Sequence, residues 1–93
     1  MAIKVYGSNT CPGTLCCLQL LTQNGVMPVF NNVTGSIALL KEFVKLRDTL
    51  PIYEELRGTD KVGFPLIQLE DGTYTRDVNS VLDLLGIQAR YPF

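Results

Sequence analysis

Alternating apolar and polar positions predict four short β-strands along the chain. They are expected at residues 2–6, 26–30, 66–69 and 73–75. The turn between the last two contains Asp71-Gly72, which is the strongest hairpin signal in the sequence. Because Pro28 has no N–H to donate to a neighbouring strand, the second strand is predicted to lie at an edge of the sheet.

Apolar residues that recur every three or four positions predict three helices between and after these strands. They are expected at residues 12–23, 37–47 and 78–85, with a further short helix at 51–57. Pro12 suits the first helical position, where no N–H partner is required. The second helix is expected to end before Pro51, because the residue preceding a proline avoids helical geometry. Asp77 suits the N-cap of the last helix.

The resulting order of elements is β-α-β-α-β-β-α, with the short helix following the second long one. The first two strands flank a helix and are expected to pair in parallel through a right-handed crossover. The last two are expected to form an antiparallel hairpin. This pattern predicts an α/β fold, in which a four-stranded mixed sheet has helices on both faces, as one domain over residues 1–93. Tyr91 and Phe93 in the apolar tail are expected to dock on that domain.

The composition is that of an ordinary globular protein, with 46% apolar and 18% charged residues and a net charge of −1. The chain has no basic footprint for nucleic acid, and no apolar run approaches the roughly 20 residues that span a bilayer. Its first residues lack the charged-then-apolar layout of a secretory signal. A cytoplasmic protein without nucleic-acid or membrane partners is therefore expected.

All three cysteines, Cys11, Cys16 and Cys17, lie where the first predicted strand gives way to the first predicted helix. The chain has no histidine, which excludes Cys-His zinc sites and catalytic pairs that depend on histidine. Unpaired N–H groups at the start of a helix favour negative charge, so a thiol at position 11 is pushed toward the thiolate. Cys11 is therefore the leading candidate for a nucleophile.

Three short motifs carry a resemblance to a known family: Cys11-Pro12, Gly63-Phe64-Pro65, and Asp71-Gly72 followed by Asp77. With the order of elements, they make the chain resemble the glutaredoxins of the thioredoxin-fold superfamily. The run at 39–49 is similar to the bacterial branch called glutaredoxin-related proteins. The resemblance covers residues 3 to about 85. It implies a thiol-disulfide oxidoreductase that reduces mixed disulfides, with glutathione as a co-substrate and no bound cofactor.

The resemblance also implies roles for individual residues. Cys11 would be the nucleophile, and Pro65 would be a cis-proline that leaves the backbone of Phe64 free to pair with an extended thiol peptide. Asp77 would lie nearest the glutamyl end of glutathione. The residues expected to bind substrate or glutathione are Thr10, Pro12, Phe64, Pro65 and Asp77.

The chain departs from the glutaredoxin pattern around this site. Thr75-Arg76 stands where a Gly-Gly pair usually precedes the aspartate, and no basic residue stands just before Cys11. Lys61 and Arg76 are the alternative sources of positive charge.

Dithiol glutaredoxins carry a second cysteine three residues after the first, where this chain has Thr14. In one interpretation the helix begins at Pro12, and Cys11 works alone and is regenerated by an external thiol. In the other, a turn precedes Thr14, which becomes the N-cap, and Cys16 folds back as the resolving thiol. If Pro12 begins the helix, Cα atoms five apart are separated by roughly 8–9 Å, whereas a disulfide needs less than about 7 Å. The first interpretation is favoured because only it keeps the thiol at the start of the helix. Cys17 falls on the apolar stripe, so a packing role is predicted.

Three classes of function compete on this sequence. The leading hypothesis is a monothiol oxidoreductase that works as a monomer and has no metal site. The second is a carrier of an iron–sulfur cluster shared between two subunits, although Pro12-Gly13-Thr14 differs from the Gly-Phe-Ser that usually follows the cysteine in such carriers. The third is a non-catalytic binding module that holds a protein segment along Phe64-Pro65.

Overall fold

A single mixed sheet organises the computed structural model, which describes residues 3–93. Its strands are β1 Lys4–Gly7, β2 Val29–Asn32, β3 Leu66–Gln68 and β4 Tyr74–Thr75. They lie in the order β2-β1-β3-β4, with β1 parallel to β2 and with β3 antiparallel to both β1 and β4. The α/β class, the four-stranded mixed sheet, the parallel first pair and the closing hairpin are confirmed.

The three main helices follow the predicted positions. They are α1 Pro12–Gln23, α2 Ile37–Thr49 and α3 Val78–Leu84. Pro12 is the first residue of α1, and α2 ends before Pro51. Asp77 caps α3 by accepting a hydrogen bond from the backbone N–H of Ser80 at 3.2 Å. The capping and proline signals therefore located these helix ends correctly.

The second strand lies three residues later than its predicted start at residue 26. The N–H of Val26 donates to the carbonyl of Leu21 at 2.9 Å and so closes the end of α1, while Pro28 has no N–H to offer. Pairing with β1 begins only where the N–H of Val29 donates to the carbonyl of Ile3 at 2.9 Å. The strand does lie at the sheet edge, as the proline predicted.

The short helix predicted at 51–57 is wrong beyond its first turn. A 3-10 turn spans Pro51–Tyr53, and hydrogen-bonded turns continue to Gly58. Tyr53 is fully buried in this segment, and its hydroxyl donates to the carbonyl of Gly63 at 2.8 Å. These contacts tie the segment to the loop before β3. Its backbone forms successive turns and not a regular helix.

Two hydrophobic clusters lie on opposite faces of the sheet, because successive side chains of a strand point to opposite sides. Val5 packs with the buried face of α1 and α3, including Cys17, Leu21 and Leu82. Tyr6, the next residue, packs on the other face. Its buried neighbours there are Val33, Phe43, Tyr53 and Leu66. The prediction of helices on both faces is thus confirmed.

The apolar periodicity of α2 overstates how much of that helix is buried. Phe43 is fully buried, whereas Ile37, Leu40 and Val44 are exposed. The helix packs on the sheet through Phe43 and the partly buried Leu46, whereas those three side chains face outward. Within residues 3–93, no helix combines the length and the apolar character needed to cross a membrane.

Candidate active site

Cys11 is the N-cap residue of α1, at the point where the chain leaves β1 and turns into the helix. Its backbone is extended, with φ −96° and ψ 116°. Its N–H donates to the carbonyl of Ser8 at 3.0 Å, and its carbonyl accepts the N–H of Leu15 at 3.1 Å as the first bond of the helix. The alternative in which Thr14 is the N-cap is wrong, because the helix already begins at Pro12.

The sulfur of Cys11 lies against hydrogen-bond donors of the first helical turn. Partial burial by itself raises the pKa of this thiol. The Thr14 hydroxyl and the backbone N–H groups of Thr14 and Gly13 outweigh that effect and hold the pKa below its ordinary value. The donors that lower this pKa belong to α1 itself, and Arg76, one of the two sources of positive charge that the sequence left open, is engaged by the carbonyl of Ile52 and the ring of Tyr53.

Thr14 is fully buried beneath the thiol, in the position where a dithiol site would carry its second cysteine. Its hydroxyl oxygen accepts the backbone N–H of Ser8 at 3.4 Å. A hydroxyl has one proton to donate, and this arrangement leaves that proton free for the Cys11 sulfur. The chain therefore has at this position a hydroxyl that lowers the pKa of Cys11, instead of a second thiol.

Ser8 organises the connection between β1 and α1. Its buried hydroxyl is 2.7 Å from the hydroxyl of Thr10 and 2.7 Å from that of Thr34. The side chain of Asn32 joins the same network by accepting the N–H of Asn9 at 3.2 Å. The loop that carries Cys11 is thus tied to the end of β2. Thr10, predicted as a binding residue, serves here as part of this network.

The other two cysteines occupy different environments from Cys11, and all three are free thiols. Cys17 is fully buried between α1 and the sheet, and burial together with the neighbouring Cys16 raises its pKa to about 12. This confirms its predicted packing role. Cys16 is partly exposed on the regular part of α1. Its Cα therefore stands roughly 8–9 Å from that of Cys11 by helix geometry, too far for a disulfide without unwinding.

Pro65 and Asp77 come to the same end of the sheet as the Cys11 loop. The β1–β3 register pairs Tyr6 with Leu66, so one further residue puts Pro65 opposite Gly7. The Phe64-Pro65 peptide bond is cis, as the resemblance implied. The β3–β4 register pairs Ile67 with Thr75, and continuing it by two residues brings Asp77 opposite Pro65.

The side chains of Phe64 and Asp77 are both engaged within the domain, whereas the resemblance assigns substrate pairing to the backbone of Phe64. The ring of Phe64 packs on Phe43, with centroids 4.8 Å apart, and is half-buried. Asp77 is engaged as a helix cap, with its second oxygen 2.7 Å from the hydroxyl of Ser80. Arg76, just before it, lies over the ring of Tyr53 at 5.2 Å. The substrate roles of these residues stay predictions.

Tyr91 is the site residue whose place was not foreseen from the sequence, although its docking was predicted. Its hydroxyl lies over Gly13: a Cβ built at residue 13 would be 2.6 Å from that oxygen and 3.8 Å from the Cys11 sulfur. Burial, followed by the nearby thiols of Cys17, Cys11 and Cys16, raises its pKa to about 12. The apolar tail was the only sequence signal.

Phe93 does not dock on the body of the domain as predicted. It is 71% exposed, and its ring lies 5.5 Å from that of Tyr91. The last residue of the chain thus extends the tail outward from Tyr91.

Comparisons with protein-family models, with curated proteins and with solved structures found no match to this chain. Among residues 3–93, no three His, Cys, Asp or Glu side chains are grouped as ligands for a metal ion. A cluster shared between two subunits takes fewer ligands from each chain, so the iron–sulfur carrier stays a hypothesis. The chemistry of the site is consequently inferred from the arrangement around Cys11.

Proposed function

We propose that this chain is a glutaredoxin-type thiol-disulfide oxidoreductase with a thioredoxin-like fold, in which Cys11 is the single nucleophile. One observation carries the proposal. The Cys11 sulfur stands at the start of α1, where the Thr14 hydroxyl and the N–H groups of Gly13 and Thr14 lower its pKa. A thiolate stabilised in this way attacks disulfides near neutral pH.

The arrangement of the sheet supports the thioredoxin-like assignment. The strand order β2-β1-β3-β4 combines a parallel pair with an antiparallel hairpin, and helices cover both faces. The reactive cysteine follows β1 directly and begins α1. These are the features for which the sequence resembles a glutaredoxin.

The proposed reaction has two exchange steps. In the first, the Cys11 thiolate attacks the glutathione sulfur of a mixed disulfide. A new S–S bond forms, the old one breaks, and its electron pair leaves with the protein sulfur as a thiolate. In the second, the thiolate of an external glutathione attacks the bound sulfur and Cys11 leaves as a thiolate. One protein thiol is released and one glutathione disulfide is formed, so atoms and electrons balance.

Three residues near Cys11 explain why the proposed mechanism uses only one thiol of the protein. Thr14 occupies the position of a resolving cysteine and supplies a donor instead. Cys17 is buried in the core, and its raised pKa keeps it in the unreactive thiol form. Cys16 is reached only if the first turns of α1 unwind. An external thiol therefore resolves the intermediate in this proposal.

Glutathione is proposed as the co-substrate because Pro65 and Asp77 share the sheet end with the Cys11 loop. The backbone beside Pro65 suits pairing with the extended tripeptide. Thr75-Arg76 replaces the usual Gly-Gly pair, and the Arg76 guanidinium donates to the carbonyl of Ile52 at 3.2 Å. The recognition of the glutamyl end therefore differs in detail from the family pattern.

The test is mild oxidation of the full chain with oxidised glutathione, followed by intact mass measurement and peptide mapping. We expect one glutathione adduct on Cys11, with Cys16→Ser behaving like the wild type and Cys11→Ser remaining unmodified. Loss of two hydrogens without an adduct would show an internal disulfide and overturn the single-thiol mechanism. A wild-type chain that neither forms the adduct nor releases it to reduced glutathione would overturn the oxidoreductase itself.

A further inference from the structure

The C-terminal tail holds Tyr91 in a defined position beside the thiol. Ile87 is buried in the cluster formed by α1 and α3 and begins the tail. Asn79 of α3 then makes two hydrogen bonds to the main chain of Tyr91. Its side-chain amide donates to the Tyr91 carbonyl at 3.1 Å, and its side-chain oxygen accepts the Tyr91 N–H at 2.8 Å. This paired contact fixes the backbone of Tyr91, from which the phenol projects.

The hydroxyl of Tyr91 shares its surroundings with the Cys11 sulfur. Both atoms lie within 4 Å of the position that a Cβ at Gly13 would occupy. Among residues 3–93 the Tyr91 hydroxyl has no hydrogen-bond partner. The one buried side-chain polar atom without a partner in this range is Nε of Arg76, so the Tyr91 hydroxyl is in contact with solvent. A hydroxyl without a partner in the described chain thus lies beside Gly13, next to the Cys11 sulfur.

We propose that the Tyr91 hydroxyl is a catalytic group that donates a hydrogen bond to the thiolate leaving from the attacked disulfide. The inference rests on the proposed function of Cys11 and adds a residue that the resemblance does not supply. In the first exchange step the negative charge moves from Cys11 to the departing sulfur, which then accepts the hydrogen bond. No proton is transferred from Tyr91, and the released thiolate takes its proton from water.

The protonation state of Tyr91 suits this role. Burial and the neighbouring thiols raise its pKa to about 12, so the hydroxyl keeps its proton throughout the neutral range. The glycine at residue 13 leaves room for the phenol, because the Cβ of a larger residue would lie 2.6 Å from its oxygen and Tyr91 would have to shift. The Tyr91 hydroxyl and the Cys11 sulfur therefore both lie close to Gly13, in the first turn of α1.

The experiment compares single-turnover reaction of Cys11 with two symmetrical disulfides, in a Cys16→Ser background. Bis(2-hydroxyethyl) disulfide releases an alkyl thiol of high pKa, whereas dithiobis(nitrobenzoate) releases an aromatic thiol of low pKa. A leaving thiolate of low pKa departs readily and needs little help. For Tyr91→Phe we expect a drop of about tenfold with the alkyl disulfide and less than about twofold with the aromatic one, as for loss of a charge-assisted hydrogen bond.

Several controls separate this role from a merely structural one. Tyr74→Phe removes a hydroxyl from a half-buried tyrosine on β4 and should leave both rates unchanged. Asn79→Ala releases the tail and should reproduce the loss with the alkyl disulfide. The pH midpoint of iodoacetamide alkylation reports the pKa of Cys11, and it should not move in Tyr91→Phe, because the groups that lower this pKa are Thr14 and Gly13.

Equal slowing with both disulfides, or no slowing with either, overturns the role of Tyr91 while leaving the function of Cys11 intact. Failure of the unsubstituted chain to react through Cys11 with either disulfide overturns the proposed function and the role of Tyr91 together. The two failures are therefore distinguishable.

Discussion

Thr14 lies directly against Gly7, so that the first turn of α1 touches the end of β1. A Cβ at residue 7 would be 2.4 Å from the Thr14 hydroxyl oxygen and 2.5 Å from its methyl carbon. This contact holds the hydroxyl between the N–H of Ser8 and the sulfur of Cys11. The close contact between Gly7 and Thr14 therefore positions one of the groups that lower the pKa of Cys11.

The hydroxyl of Thr14 is predicted to set the reactivity of Cys11. Thr14→Val keeps the shape of the side chain and removes the donor, so the Cys11 pKa should rise toward its ordinary value. Alkylation by iodoacetamide at neutral pH should slow on the order of tenfold, as expected when a hydrogen bond to a charged group is lost. Thr14→Ser retains the donor and serves as the control. A wild-type pH midpoint in Thr14→Val would contradict the prediction.

Glycine at residue 7 is predicted to be required by this contact. Gly7→Ala should lower the free energy of unfolding by about 1–3 kcal/mol, as overpacking does in a close-packed interior. Urea denaturation measures the change. Thr14→Ala in the same chain removes the two closest atoms and should recover most of the loss. If the effects of the two substitutions on the free energy of unfolding were additive, the loss in Gly7→Ala would not arise from contact with Thr14.

The hydroxyl of Ser8 is predicted to stabilise the loop before Cys11. Ser8→Ala removes a buried hydroxyl that bonds the exposed side chains of Thr10 and Thr34 and accepts the backbone N–H of Thr10, and should cost about 1–3 kcal/mol. Ser80→Ala, whose hydroxyl bonds an exposed carboxylate, is the matched control and should cost about 1 kcal/mol or less. Thermal or urea unfolding distinguishes them. Equal costs would mean that the buried network adds nothing.

Cys17 is predicted to make the fold sensitive to alkaline pH. Its pKa rises from 9.0 to about 12 on folding, so above pH 9 the unfolded chain has lost a proton that the folded chain keeps. Stability is therefore full below pH 9 and falls as the pH rises through this window, by at most about 1.4 kcal/mol per pH unit for this group.

The measurement is urea unfolding at several values between about pH 8 and pH 10.5, in wild type and Cys17→Ala. The substitution lowers stability at every pH by creating a small cavity, but its slope against pH should be shallower. Cys16→Ser is the control on the same helix. Parallel slopes in all three chains would contradict the prediction.

Local sequence rules were enough for most element ends. Pro12 begins α1, Asp77 caps α3 and Asp71-Gly72 turns the hairpin, because each depends on the conformational preference of one or two residues. The start of β2 was misplaced, because the N–H of Val26 closes the preceding helix, a bond that apolar alternation does not encode. The extent of the buried face of α2 was also overestimated. Periodicity shows which residues of the helix are apolar, but not how much of that face the sheet covers.

The sequence by itself determined the order of elements, the place of the cysteines at a strand–helix junction and the packing role of Cys17. These follow from periodicity, proline chemistry and helix geometry, which act over a few residues. Tertiary structure decided that Thr14 and Gly7 touch and that Tyr91 lies over Gly13. Both contacts join residues on different elements, so they arise only when the sheet and the helices pack. The sequence predicts the N–H groups of the first helical turn beside Cys11, and the single-thiol mechanism stays a proposal. The contacts that hold the Thr14 hydroxyl and the Tyr91 phenol beside this turn come from that packing.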